Sequence, residues 1–258
     1  MELISSVARR TRLGDIGYVL LNVAYAALLL GLLWIFNAPW LSYVLVVLSK
    51  WRIFAVRPRF WVANIKANAL DTVLGLSVVT LIWQNSDYVA IQLGLTAAYV
   101  LWLVVVKPSS KHAAVLLQAG ITQFFALWAL FSVAYALPLF VVTLAAGFVG
   151  FVVAHHAVNI FAKEYEDMLL SLVWMTIIAT LGWLTWYWTV AYTPLRIPQV
   201  SIVGSLLGFL ALVAYQQLYS EEHNQTRPRR AVPVAPVAFV LIGIAVLLMS
   251  NFFDQTSF

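Results

Sequence analysis

HHAVNIFAKEYED, His155 to Asp167, packs two histidines, an asparagine and three carboxylates into 13 residues directly after an apolar stretch. Imidazoles and carboxylates together could move a proton or hold a metal. At about 100° per residue round a helix, His155, Asn159 and Glu166 fall on one face. His156 points about 100° away from His155, so the two histidines are not a chelating pair. A zinc pair four residues apart would need a second histidine where Asn159 stands. The chain has only four histidines and no cysteine. Thiolate sites, disulfides and cysteine nucleophiles are therefore excluded, and no metal or cofactor is expected. Glu164, Glu166 and Asp167 also suit the start of a helix, where carboxylates meet the positive end of the dipole.

Asp71 is the one carboxylate expected inside an apolar span. Asn64, Asn68, Asp71 and Gly75 recur at helical spacing and form one polar or small stripe. A buried carboxylate needs a cation, and the nearest expected partners are Arg57, Arg59 or Lys111. Asp71, Asn68, Gln118, His155, Asn159 and Glu166 are the candidate ligand-binding residues. Catalytic residues are not assigned.

KWRIFAVRPRFWVANIK, residues 50–66, alternates cations with aromatics. Lys50, Arg52, Arg57, Arg59 and Lys66 are expected at anionic lipid headgroups rather than on nucleic acid. His155-x-x-x-Asn159 resembles one fragment of the CAAX-type intramembrane protease pattern. That family also needs an upstream Glu-Glu-x-x-x-Arg; here Glu221-Glu222 lies downstream and Arg227 is misplaced, so the resemblance is set aside.

The elements that must position these residues are apolar helices. Of the 258 residues, 63% are hydrophobic and 10% charged, against about half and about a quarter in soluble domains. The expected fold class is all-α, a polytopic transmembrane helical bundle. Spans of roughly 20 apolar residues are expected at about 16–36, 39–56, 68–85, 88–106, 113–136, 138–161, 168–190, 200–219 and 232–250. That makes about nine, or eight if the second, which ends on Lys50 and Arg52, is only partly inserted. With the N-terminus cytoplasmic, every Lys and Arg except Arg196 falls on the inner side, as the positive-inside rule asks. The basic segment 1–15 is then cytoplasmic and retained. No soluble domain interrupts the single membrane domain 1–258.

Polar residues within the spans, among them Asn22, Asn68, Asp71, Gln118, Gln123, His155 and Gln216, cluster in the expected inner halves. They mark either a cytoplasm-open cavity or helix ends reaching the interface. Trp40, Trp83, Tyr88, Trp183, Trp186 and Tyr187 sit at the expected outer level, as an aromatic belt would. Thr143, Gly147, Gly150, Ala154 and Ala157, with Gly204-x-x-x-Gly208, read as helix-packing faces.

The expected function is a non-enzymatic scaffold or complex subunit that binds lipid or a small apolar ligand. Its partners would be membrane lipids and either another membrane protein or a second copy. The expected location is the plasma membrane, or the inner membrane of a prokaryote. Two alternatives stand beside it: a transporter with a polar cavity around Asp71 and His155, and a membrane-embedded lipid-modifying enzyme.

Overall fold

A computed structural model describes residues 2–109, 112–159, 164–187, 191–192 and 195–223. The described residues form eight α-helices, joined by short turns and one two-residue-per-strand hairpin. Six apolar stretches within them are long enough to cross a membrane: Ile16–Phe36, Pro58–Gln84, Val89–Val106, Ala114–Ser132, Leu139–Val158 and Asp167–Tyr187. The all-helical class is as expected, and the count of long spans is six among the described residues. The stretch 232–250 lies outside those residues. The chain separates into two compact units, residues 1–114 and 115–258.

Unit 1 holds α1 (Glu2–Phe36), α2 (Trp40–Leu48), α3 (Trp61–Gln84) and α4 (Val89–Leu101). Asn37 ends α1 in the left-handed region, φ 47°, a conformation asparagine tolerates at helix ends. Its N–H returns to Leu33 O at 3.0 Å. The expected second span is instead the nine-residue α2, followed by two 3-10 turns at Trp51–Ile53 and Pro58–Phe60. Nine residues rise only about 14 Å, less than half of a hydrocarbon core of about 30 Å. The chain therefore gives up helical geometry at Lys50, where a charge replaces the apolar run.

Polar bonds give the register in unit 1. Ser42 Oγ donates to Leu29 O at 3.2 Å, and Tyr43 and Thr80 hydroxyls meet at 2.8 Å. Gln92 Nε2 donates to Ile82 O at 3.2 Å, and Tyr18 OH to Leu103 O at 2.8 Å. Each pair joins helices running in opposite directions, so α2 descends beside both α1 and α3. Val46, Leu74, Val79, Leu81 and Ile82 are buried between them.

Unit 2 holds most of α5 (His112–Ser132), with α6 (Leu139–Val158), α7 (Glu164–Tyr187) and α8 (Gln199–His223). Pro138, extended at ψ 147°, separates α6 from the 3-10 turn Ala134–Ala136. This is the break expected at Leu137-Pro138. The hairpin pairs β1 (Ala191–Tyr192) with β2 (Ile197–Pro198), and Arg196 turns between them at φ 50°.

The two predicted small-residue faces pack inside unit 2. A Cβ added at Gly150 would lie 2.9 Å from Ile178 Cβ, and one at Gly147 would lie 3.2 Å from Ala179 Cβ. Gly182 on α7 answers from the other side, with Ala146 Cβ at 2.8 Å from the same construction. Close backbone approach of this kind replaces the hydrophobic effect as glue between apolar helices. Gly204 packs on Leu127 and Gly208 on Trp174 and Gln123.

Candidate functional site

Asp71 lies in the middle of α3 and is 8% exposed. Its partners are Lys50 and Lys107, neither of them among the cations expected from sequence. Lys107 Nζ donates to Asp71 Oδ2 at 2.7 Å, and Lys50 Nζ contacts the same oxygen. Trp102 Nε1 donates to Oδ1 at 3.3 Å. Two ammoniums against one carboxylate leave the cluster with one surplus positive charge.

Each donor arrives by a different local device. Lys50 is delivered by the early end of α2. Lys107 and Trp102 are five residues apart, about 140° round an α-helix, so a regular α4 would aim only one of them at Asp71. The residues Trp102–Val106 form a π turn instead, closed by Lys107 N–H to Trp102 O at 2.8 Å. The wider turn, bonded from i to i+5, brings residues five apart toward one face. Gly75, one turn beyond Asp71, leaves room for the Tyr99 hydroxyl, which would sit 3.0 Å from a Cβ there. The Tyr99 and Tyr25 rings lie 6.4 Å apart, and Tyr25 OH donates to Ser49 Oγ at 3.4 Å.

The two lysines titrate apart. Lys50 follows α2 and lies outside the six long spans; burial holds its ammonium below the ordinary lysine value, against the pull of Asp71. For Lys107, just past the third of those spans, burial acts the same way, but Asp71 outweighs it and the ammonium is held above the ordinary value. Lys107 is also the wetter of the two, with 37% of its side chain exposed against 14% for Lys50.

Unit 2 carries a second set of polar links. His156 Nε2 and Gln118 Oε1 lie 3.1 Å apart, joining α6 to α5. His155 Nδ1 lies 2.8 Å from Asp167 Oδ2, without the alignment of a hydrogen bond, and joins α6 to α7. Asp167 is 3% exposed, and its carboxylate and carbonyl both accept from Ser171 Oγ. The His155 ring stacks on Phe151 at 5.8 Å. Gln123, 1% exposed, accepts from Trp174 Nε1 at 2.9 Å and donates to Gly204 O at 2.5 Å.

The sequence-derived site residues thus divide. Asp71 anchors the cluster of unit 1. Gln118 and His155 take part in links within unit 2. Asn68 Nδ2 donates to Asn64 O on its own helix, 2.9 Å away. Asn159 is exposed at the end of α6, and its N–H caps His155 O at 3.2 Å. Glu166 is in the first turn of α7, and its side chain lies outside the described residues, as does that of Arg52. Arg57 and Lys66 are exposed, and the Arg59 guanidinium covers the Phe60 ring at 4.6 Å. Sequence reasoning missed Lys107, Trp102 and Asp167. Among the described residues, no three histidine or carboxylate side chains gather closely enough to hold a metal ion.

The class these elements define is helical and apolar, compatible with an integral membrane protein. Compared with known protein families, curated proteins and solved structures, the chain matches none.

Proposed function

We propose that the protein is a non-catalytic membrane scaffold or complex subunit that seats the anionic headgroup of a lipid at the Lys50–Asp71–Lys107 cluster. The carrying observation is the surplus charge. Two ammoniums converge on one oxygen of a buried carboxylate, and an unbalanced cation in an apolar bundle is costly. A phosphate oxygen supplies the missing negative charge.

The adjoining stretch supports the same reading. Trp51, Phe54 and Phe60 are 62%, 56% and 47% exposed, and Arg57 and Arg59 are interleaved with them. Exposed aromatics with cations suit the boundary between acyl chains and headgroups. At the sequence-derived inner face, Arg57, Arg59 and Lys66 would hold the lipid surface while Lys107 reaches from its exposed position toward a phosphate.

The test is native mass spectrometry of the full chain extracted gently from its own membrane, followed by exchange with defined lipids. Retention of phosphatidylglycerol over phosphatidylcholine, lost in Lys107→Met, supports the reading. Equal retention of both lipids, or an unchanged preference in Lys107→Met, overturns the lipid site. A stoichiometric companion protein in the same spectrum supports the subunit role. Vectorial uptake of a solute into vesicles, abolished by Asp71→Asn, would replace the scaffold with the transporter.

A further inference from the structure

The opposite end of unit 1 from Lys107, where α1 and α3 end and α4 begins, carries an open cavity of about 390 Å³. Its lining is Leu33, Trp34, Asn37, Trp83, Ser86, Val89 and Gln92. We propose that this cavity binds an organic cation of the quaternary-ammonium class, held against the indole faces of Trp34 and Trp83. The inference is independent of the lipid site, which lies at the other end of the helices and attracts the opposite charge.

A tryptophan at a membrane boundary ordinarily turns its N–H to water or headgroups. Trp34 is 53% exposed, yet its N–H points inward to Gln92 Oε1 at 2.8 Å. Gln92 is 3% exposed and is itself fixed, through Nε2, on Ile82 O. A buried amide thus holds the indole in one orientation. Its polar edge is satisfied, so what remains for a ligand is the ring face.

The lining contains no ionisable group. Around it, residues 34–42 carry no charge, and residues 83–92 carry only Asp87. Asp87 is exposed in the turn between α3 and α4, next to the lining residue Ser86. The one charge on these two segments is therefore negative, and no cation of theirs competes. Indole faces attract a cation through their quadrupole, and a methylated ammonium loses little hydration when it leaves water for them. Asn37 and Ser86 add polar groups for the remainder of such a molecule. The volume falls within the usual range for small-molecule sites, about 300–1,000 Å³.

The experiment is isothermal titration of the purified full chain, in a detergent without a choline headgroup, with tetramethylammonium chloride. The controls are 3,3-dimethylbutan-1-ol, a neutral isostere whose tert-butyl group replaces the trimethylammonium group with an uncharged one, together with glucose and sodium chloride. The expected result is saturable binding of tetramethylammonium alone. Trp34→Leu and Trp83→Leu should each weaken it roughly tenfold, and Asp87→Asn roughly threefold. The comparison with the neutral isostere uses the unaltered protein, and Trp34→Phe retains a ring, so the test survives a failure of Trp34→Leu to fold. No saturable binding, equal binding of the isostere or glucose, or unchanged affinity in Trp83→Leu would overturn the proposal. Repeating the titration in vesicles identifies the source of the cation. Displacement by phosphatidylcholine, but not phosphatidylglycerol, assigns the site to a lipid headgroup; undiminished binding in both assigns it to a free ion.

Discussion

Trp174 on α7 donates its indole N–H to Gln123 Oε1 on α5 at 2.9 Å, and the same amide donates to Gly204 O on α8 at 2.5 Å. One glutamine therefore joins three helices, and it is 1% exposed. Gln123→Leu keeps the bulk and removes both bonds. The expected loss is about 1–2 kcal/mol, since interhelical hydrogen bonds in membranes are individually modest. Trp174→Phe removes one bond and should cost less than Gln123→Leu. Thermal unfolding in detergent measures both, and an unchanged midpoint in Gln123→Leu would remove the glutamine from the account of unit 2.

The α6–α7 pair rests on an exchangeable steric fit. A Cβ at Gly182 would come 2.8 Å from Ala146 Cβ, closer than two methyl carbons tolerate. Gly182→Ala should therefore destabilise unit 2 by about 1–3 kcal/mol through overpacking. Ala146→Gly leaves a gap of one methyl. The double variant, Ala146→Gly with Gly182→Ala, moves the methyl across the seam and should recover most of the loss. A strictly additive double mutant would show that the two positions do not share one contact.

How much of this could be read beforehand depends on whether the signal was local. Apolar runs announced the long helices, and Pro138 the break before α6. The glycines at 147, 150 and 204 announced close packing, because small residues have few other uses in an apolar span. Asp71 stood out as a carboxylate among apolar residues. Its partners did not, because choosing Lys50 and Lys107 requires two departures from regular helix: the early end of α2 and the π turn at Trp102. The early end of α2 has no glycine or proline beside it, and Pro108 after Lys107 marks where a helix stops but not that its last turn is widened. Asp167 was legible as a helix start but not as the neighbour of His155, since that contact depends on the pairing of α6 with α7. Gln123 appeared as one polar residue among several, and only the three-helix geometry distinguishes it.

The charge cluster predicts an order of destabilisation. Asp71→Asn removes the carboxylate that faces two ammoniums and should cost about 3 kcal/mol, in the range for breaking a buried pair. Lys50→Met leaves the balanced pair of Asp71 and Lys107, and its cost should be well below half of that. Lys107→Met should fall between them. Its side chain is 37% exposed, so solvent already screens part of its attraction. Denaturant titration of the three variants measures the order. Asp71→Asn as stable as the unaltered protein would mean that the carboxylate balances nothing.

Lipid affinity should depend on pH in one direction. Burial holds Lys50 below its ordinary value of 10.5, while Asp71 holds Lys107 above it. On raising the pH, Lys50 therefore loses its proton first. The cluster then passes from one surplus positive charge to none, with Asp71 and Lys107 still paired. An anionic headgroup favours the protonated state, so its affinity should be greatest at low pH, while Asp71 is still ionised, and fall as the pH rises through the Lys50 value. Lys50→Met is neutral throughout and should bind weakly with no such slope. Lys50→Arg, charged at every accessible pH, should keep its affinity where the unaltered protein loses it. Retention of phosphatidylglycerol measured from neutral to alkaline pH decides the matter. An affinity that rises with pH, or the same slope in Lys50→Met, would place the titrating group elsewhere and separate Lys50 from headgroup binding.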